Sequence, residues 1–570
     1  MIRADKTFVN ANIYTMEKPG ERAEAAVVYR GEFVFVGDAE EALKYPTRET
    51  VDLGGKTVLP GFTDTHIHLI SDCQRKDRAE LGGAQSIAEI VQIMKDYAEK
   101  SDGEWLTGAN LHIENIAEGR FPNRYELDEI SKERPVILFS YCLHIQIVNS
   151  EGLRRGGIVR GFKPEIEGLV EFFDDGEPNG IIREDMYARY FSDLVERNVT
   201  TTKGRQALLR KYMHDYTARG ITSVQAFSAL ADNPLEYVDE YFELDRVGEL
   251  PLRVTINSSG PLDEAYRAVS GFGNDKIRIG AKKLFSDGSL NARAAALFEP
   301  YSDDPGNVGL VVNTQEEIFK VAKEAYYFGC DVAIHAIGDR GIDIVIGAIE
   351  KVLEETGYSD EGVASSGPLD DEPDGFRSAA ARKYSGQYPR FRIIHTQLVT
   401  RREQIERLKR LPVILDMQPI FVRNWYTIAD ERIGPERKKG LFAFRTLIDN
   451  GLLLTGGSDA PVETADPLLG IQIAVTRKTA AGEPPEGFVP EEALSVFEAA
   501  SLYTRNAAYC THEEDRKGTI KIGRLADFIV LDRDIFEVDP LEIAATQVVQ
   551  VYLGGERIRY IPSATESNPQ

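Results

Sequence analysis

At 570 residues with 42% hydrophobic content, the chain is long enough for one large domain plus a smaller unit, and 67 basic against 92 acidic residues leave a formal charge of −25. Such a field repels nucleic acid and anionic membrane, which excludes both as expected partners, and it is also compatible with a high-salt source. Four scattered cysteines, Cys73, Cys142, Cys330 and Cys510, exclude a disulfide framework or a Cys-x-x-Cys metal knot and point to a reducing compartment. The first residues carry no leader-like apolar run, and no stretch approaches the roughly 20 apolar residues of a membrane span, so a cytoplasmic protein is expected.

Residues 1–56 alternate short β-rich pieces with turns: Thr7 to Thr15, Ala25 to Tyr29, Phe33 to Val36 and Thr50 to Leu53 before Gly54-Gly55. This is the texture of a small antiparallel sheet, too little to stand alone. The texture returns over 517–562, where Ala526 to Leu531 reads as a strand and Val548 to Leu553 with Gly554-Gly555 as a hairpin. The two ends are therefore expected to share one split β-sandwich domain. The polar segment 563–570 is expected to be a disordered tail.

Between them, residues 57–516 carry eight short apolar strands: Val58 to His68, Thr222 to Phe227, Leu252 to Asn257, Ile277 to Phe285, Asp331 to His335, Phe391 to His395, Pro412 to Met417 and Leu452 to Gly457. Helical stretches such as Gly204 to Arg219, Thr314 to Phe328, Ile342 to Thr356 and Glu403 to Arg410 fall in the gaps, as an α/β fold of the (β/α)8 TIM-barrel type requires. An insertion at about 71–202, with its own strand Pro135 to Ser140, is expected over the barrel mouth. The Ser, Gly, Pro and Asp-rich segment 359–389 reads as a surface loop.

Catalytic groups of such barrels sit at the C-terminal ends of the strands. There the sequence places His66 and His68 on strand one, Lys283 on strand four, His335 on strand five, His395 on strand six and Asp459 after strand eight. His66 and His68 are one residue apart, so on a strand both face one way, a pair that suits a divalent metal. Lys283 is chosen over Lys282 by parity, because Ile277, Ile279 and Ala281 share its face. A cation among histidines repels a metal, so the lysine fits there best when carbon dioxide has carboxylated it into an anionic ligand.

These residues lie in Leu-Pro-Gly-Phe-Thr-Asp-Thr-His-Ile-His, Lys-Leu-Phe-Ser-Asp-Gly-Ser-Leu, Ile-His-Ala-Ile-Gly-Asp-Arg, Arg-Ile-Ile-His-Thr-Gln, Met-Gln-Pro and Gly-Ser-Asp-Ala-Pro-Val. Through them the chain resembles the amidohydrolase superfamily over nearly its whole length. Leu127-Asp128, Arg134-Pro135-Val136 and His144 to Ser150 resemble the branch that includes N-substituted formamide deformylases. The resemblance implies that His66 and His68 bind one metal and His335 and His395 another, that carboxylated Lys283 bridges them, and that Asp459 binds metal and shuttles protons. Many members have Glu before the strand-six histidine, where this chain has Ile394.

The cofactor expected is one or two divalent ions, zinc first, with manganese, iron or cobalt accepted by the same donors. Metal-activated hydroxide would hydrolyse a non-peptide carbon–nitrogen bond of a small amide-like molecule, with Asp459 passing the proton to the leaving amine. A cyclic-amide hydrolase or aromatic deaminase is the nearest alternative, and a non-catalytic metal-binding regulatory protein another. His144, Trp105, Trp425 and Arg437 are the candidate substrate contacts, and a homodimer is an allowed assembly.

Overall fold

The run from Val58 to His68 is broken at Gly61. In the computed structural model, Thr47–Pro60 belongs to the sheet built from the chain ends, and the first barrel strand starts only at Phe62. A β-carbon at Gly61 would lie 2.1 Å from Thr222 Oγ1, and the Gly61 N–H donates to the Asp527 carbonyl at 3.0 Å. The backbone passes flush against its neighbours there, and only glycine allows it. The structure describes residues 3–140, 145–164, 169–183, 186–195, 201–228, 238–259, 270–356 and 390–558. The expected loop at 359–389, the expected tail and His144 lie outside them. The chain divides into two compact units, Met1–Leu69 with Met213–Ile561, and Ile70–Tyr212 with Pro562–Gln570.

Eight parallel strands form the barrel: β1 Phe62–Ile67, β2 Ile221–Ser228, β3 Arg253–Ser258, β4 Ile277–Phe285, β5 Val332–Ala336, β6 Phe391–His395, β7 Val413–Met417 and β8 Leu453–Gly456. They pair in sequence order. The residues after β8 lie against β1: the Asp459 N–H donates to the His66 carbonyl at 2.6 Å and the His68 N–H to the Ala460 carbonyl at 2.8 Å. One strand face buries Val332, Ile334, Phe391, Ile393, Leu415 and Leu454 against helix residues such as Ala322, Ile342, Val345 and Ile349. The opposite face of β2, β4, β5 and β6 closes on itself as Phe227, Ala281, Ala333 and Ile394. Helix Gln315–Phe328 shows why the gaps fold as helices: Thr314 and Glu317 form a capping box at its start, and Gly329, at φ 71°, ends it.

The ends of the chain share one sheet. Its order is Glu556–Arg557, Val548–Leu553, Phe528–Leu531, Thr47–Pro60, Ala4–Tyr14, Ala25–Tyr29 and Glu32–Gly37. It folds back on itself, because the Phe33 N–H donates to the Arg524 carbonyl at 2.8 Å. Phe8, Val28, Phe33, Val58, Phe528 and Tyr552 fill the fold. One pairing corrects the expected antiparallel texture: Ala4–Tyr14 and Thr47–Pro60 run parallel, with the hairpin of Ala25–Tyr29 and Glu32–Gly37 in the connection between them.

The insertion has a sheet of its own, ordered Val170–Phe172, Pro178–Arg183, Ile145–Val148, Val136–Ser140, Leu106–Leu111 and Ala79–Glu80. Strict alternation along Val136–Ser140 serves two cores: Val136 and Leu138 join Ile90, Met94 and Leu127 on one face, while Ile137 and Phe139 join Trp105, Ile182 and Phe191 on the other.

Candidate active site

At the end of β1, His66 and His68 both reach one carboxylate. Asp459 Oδ1 lies 3.2 Å from His66 Nε2 and 3.3 Å from His68 Nε2. His68 donates its Nδ1–H to the Phe227 carbonyl at 3.2 Å, which leaves Nε2 as the nitrogen facing Asp459. Parity holds on β4: Lys283 Nζ sits 5.0 Å from the Phe227 ring centre and 5.1 Å from that of Phe285, whereas Lys282 turns away to donate to the Ser259 carbonyl at 2.7 Å. From β5 and β6, the rings of His335 and His395 meet at 4.5 Å between centres, and His395 lies 5.4 Å from His66.

Two of these residues leave the regular pleat. Arg392 and Ile394 face into the barrel, so alternation alone would turn His395 outward; at φ 73° its backbone swings the ring back in. Asp459 adopts φ 57°. Both conformations are uncommon for residues with a side chain.

Burial governs the charges. Burial, then the Lys283 ammonium, holds His66 well below the usual histidine range and His335 at about 3, and burial together with His335 does the same to His395. Against its own burial, the adjoining imidazoles, His66 foremost, keep the Asp459 carboxyl well below the usual carboxylate range. Burial brings the Lys283 amine down to about 7, although Asp459 and Asp416 oppose this. The site is thus a cluster of imidazoles around one carboxylate.

That donor set fits a divalent ion. Ligand atoms of His66, His395 and Asp459 lie within 4.8 Å of one another; Nδ1 of buried His66 has no hydrogen-bond partner, and Nε2 faces the Asp459 carboxylate at 3.2 Å. A buried imidazole with an unsatisfied ring nitrogen beside a carboxylate is costly unless the ring coordinates an ion.

The amidohydrolase family model matches residues 49–373 and 363–559. The chain belongs to the amidohydrolase family. Its metal-dependent hydrolase character follows from this membership and from the donor set. Among amidohydrolase relatives, the Bacillus subtilis (strain 168) protein named as amidohydrolase YtcJ is 31% identical over 95% of this chain and 97% of its own length. N-substituted formamide deformylase of Arthrobacter pascens is 27% identical over 97% of both chains. A crystal structure of an uncharacterized metal-dependent hydrolase from Pyrococcus furiosus superposes with a TM-score of 0.74, at 29% identity, covering 93% of this chain and 100% of that one.

In this amidohydrolase the six residues read as ligands and proton carrier all line one cavity of about 290 Å³. Its walls are mostly apolar, with Phe285, Leu290, Ile337, Phe421 and Trp425, and Asn424 and Glu463 add polar groups. Trp425, one of the candidate substrate contacts, lines the cavity. Arg437 corrects that reading: its guanidinium donates to the Glu299 and Pro300 carbonyls at 2.9 and 2.8 Å, tying down a loop, and it does not line the cavity. Trp105 is taken up by the insertion's own core, edge-on to Phe191 at 6.1 Å. The branch motifs of the insertion are structural where they are described. Asp128 accepts from Ser150 N and Oγ at 2.9 and 2.6 Å, and Asn149 Oδ1 accepts the Val136 and Gly152 N–H groups.

Three supporting residues had no role in the sequence reading. Asp287, raised to about 7 by burial against its hydrogen bonds, accepts N–H groups from Ala296, Ile337 and Gly338 at 2.9, 3.0 and 2.8 Å and so joins the loops after β4 and β5. Asp416 takes Thr65 Oγ1 at 2.5 Å and pairs with buried Arg392, which also donates to the Thr65 carbonyl beside His66. Gln418 accepts from His395. Asp287 and Gln418 stand inside quoted motifs, whereas nothing in the sequence pattern marks Asp416.

Proposed function

We propose that this amidohydrolase cleaves a carbon–nitrogen bond in a small, non-peptide amide. One observation carries the reading: the buried Asp459 carboxylate stands 3.2 and 3.3 Å from two imidazoles on the lining of a largely apolar cavity. A site that served only to hold a structural ion would need no acid–base group at its open position. His66 and His68 would hold one ion and His335 and His395 a second, with Lys283 between them. Burial lowers the Lys283 amine to about 7, and a carbamate formed there with carbon dioxide would add an anionic ligand beside these histidines. Bound metal, zinc in the first instance, supplies Lewis acidity to a water and to the scissile carbonyl.

The chain's own residues do the rest. Asp459 receives the proton of the attacking water and returns it to the departing nitrogen, because an amide anion is a poor leaving group. Phe285, Phe421 and Trp425 receive the apolar part of the substrate and keep bulk water away. The test is to profile zinc-loaded protein against N-acyl, N-formyl and cyclic amides. Hydrolysis of one of these sets is expected, and a zinc-replete protein that turns over none of them overturns the proposal.

A further inference from the structure

His395 reaches the site through a left-handed backbone, so the pleat of β6 does not fix the direction of its ring. What does is a chain of bonds with one allowed polarity. Gln418, 1% exposed, donates its Nε2–H to the Asp416 backbone carbonyl at 3.3 Å. A carbonyl only accepts, so the amino end of the amide must face it and Oε1 is left facing His395, 2.6 Å from Nδ1. Oε1 also only accepts, so the hydrogen is on Nδ1 and the lone pair of the ring on Nε2. With His395 itself 4% exposed, water does not compete for either bond. The anchor at the far end is firm: Asp416 is fully buried and its carboxylate takes Thr65 Oγ1 at 2.5 Å, Thr455 Oγ1 at 3.1 Å and the Arg392 guanidinium.

We propose that Gln418 is a positioning residue that locks His395 in the Nδ1–H tautomer and so presents Nε2 as the coordinating nitrogen. The inference rests on the metal-centre reading above and adds to it which nitrogen binds and what sets it. Partners of this kind raise the affinity of a site by orienting its ligands and fixing their tautomers.

The experiment uses full-length protein labelled with ¹⁵N-histidine and stripped of metal. With eight histidines in the chain, long-range ¹⁵N–¹H spectra report which ring nitrogen carries hydrogen, and loss of one signal in His395→Asn assigns it. Wild type is expected to show Nδ1–H, retained in Gln418→Glu and lost or mixed in Gln418→Met, which is of similar length but has no oxygen. In competition with a chelator, Zn²⁺ should bind Gln418→Met about 10- to 100-fold more weakly than wild type, and Gln418→Glu at least as tightly as wild type. An Nε2–H signal in wild type, an unchanged Nδ1–H in Gln418→Met, or equal zinc losses in both variants would overturn the proposal. If Gln418→Met does not fold, the wild-type and Gln418→Glu spectra still decide. Neither readout needs a substrate, so a protein that hydrolyses no amide leaves this result standing, and an active enzyme with Nε2–H on His395 sinks only this inference.

Discussion

His395 and Asp459 hold left-handed conformations, at φ 73° and 57°, each costing on the order of 1–3 kcal/mol unless the surroundings over-determine it. They do so here: Asp459 is tied by its N–H to the His66 carbonyl, and His395 by its ring to Gln418. Strain at these two positions is why this part of the site was only partly legible. Alternation along β4 pointed to Lys283, and the single-residue spacing pointed to His66 and His68. No periodicity could have turned His395 inward, and only its place at the end of strand six put it in the set. Long-range packing decides where Trp105 and Arg437 go, which local pattern does not encode. For Asp459→Asn we expect metal content close to wild type and kcat lower by about 10²- to 10⁴-fold, because the amide keeps the shape but cannot take the proton. Turnover within a few-fold of wild type in a metal-replete variant would show that another group moves the proton.

At the scale of elements, strand positions were legible to within a residue or so, since each barrel strand is an apolar run bounded by turns. The break at Gly61 was not, because apolar residues, Leu59-Pro60 and Phe62, flank it on both sides and only the approach of Thr222 ends one sheet and starts another. The parallel pairing of Ala4–Tyr14 with Thr47–Pro60 was equally hidden, since a hairpin lies in the connection. Gly457 marks where β8 meets β1: a β-carbon there would lie 2.6 Å from His66 N, against backbone that cannot rotate away. Gly457→Ala should therefore lower stability by about 1–3 kcal/mol and shift the imidazole of His66. Denaturant unfolding checks the first effect and zinc competition the second, and a variant that matches wild type in both would show that the seam has slack.

Across the whole molecule, a buried ion pair fastens the split sheet to the barrel. Arg253 of β3 donates to both oxygens of Asp527, at 2.6 and 2.8 Å, and Asp527 also accepts the Gly554 N–H at 2.7 Å. Burial alone would raise the Asp527 carboxyl, but Arg253 and these bonds hold it below its ordinary value. A carboxyl depressed in the folded state stabilises above its unfolded pKa of about 3.9, and that stabilisation is lost as pH falls through the folded value. Asp527→Asn should thus cost about 3–5 kcal/mol at pH 7, where it strands a buried guanidinium, and the gap to wild type should narrow below about pH 4. A gap that does not change with pH would mean that the pair contributes shape and not charge. Metal acts at the same scale, because an ion bound only by the folded protein adds about 2.7 kcal/mol at 100 times its dissociation constant. Stripping the metal should lower Tm, and the double variant His66→Ala with His68→Ala should show a smaller shift; a wild-type Tm indifferent to added zinc would mean that the folded protein does not bind it, and an undiminished shift in the variant would place the ion elsewhere.

Because Thr47–Pro60 pairs on one side with Phe528–Leu531, the protein has to wait for its own end during synthesis. At 5–20 residues per second, about 25–100 s separate the appearance of Pro60 from that of the hairpin closing at Leu553. Throughout that interval an apolar strand edge is open on the ribosome, next to a barrel strand whose last partner, β8, is unmade for most of it. Such an edge pairs readily with other chains. Nascent-chain chaperones should therefore hold this protein longer than one whose strands pair with near neighbours, and a codon-level slowing of the last hundred residues would appear as aggregate while the activity of the molecules that finish folding stays the same.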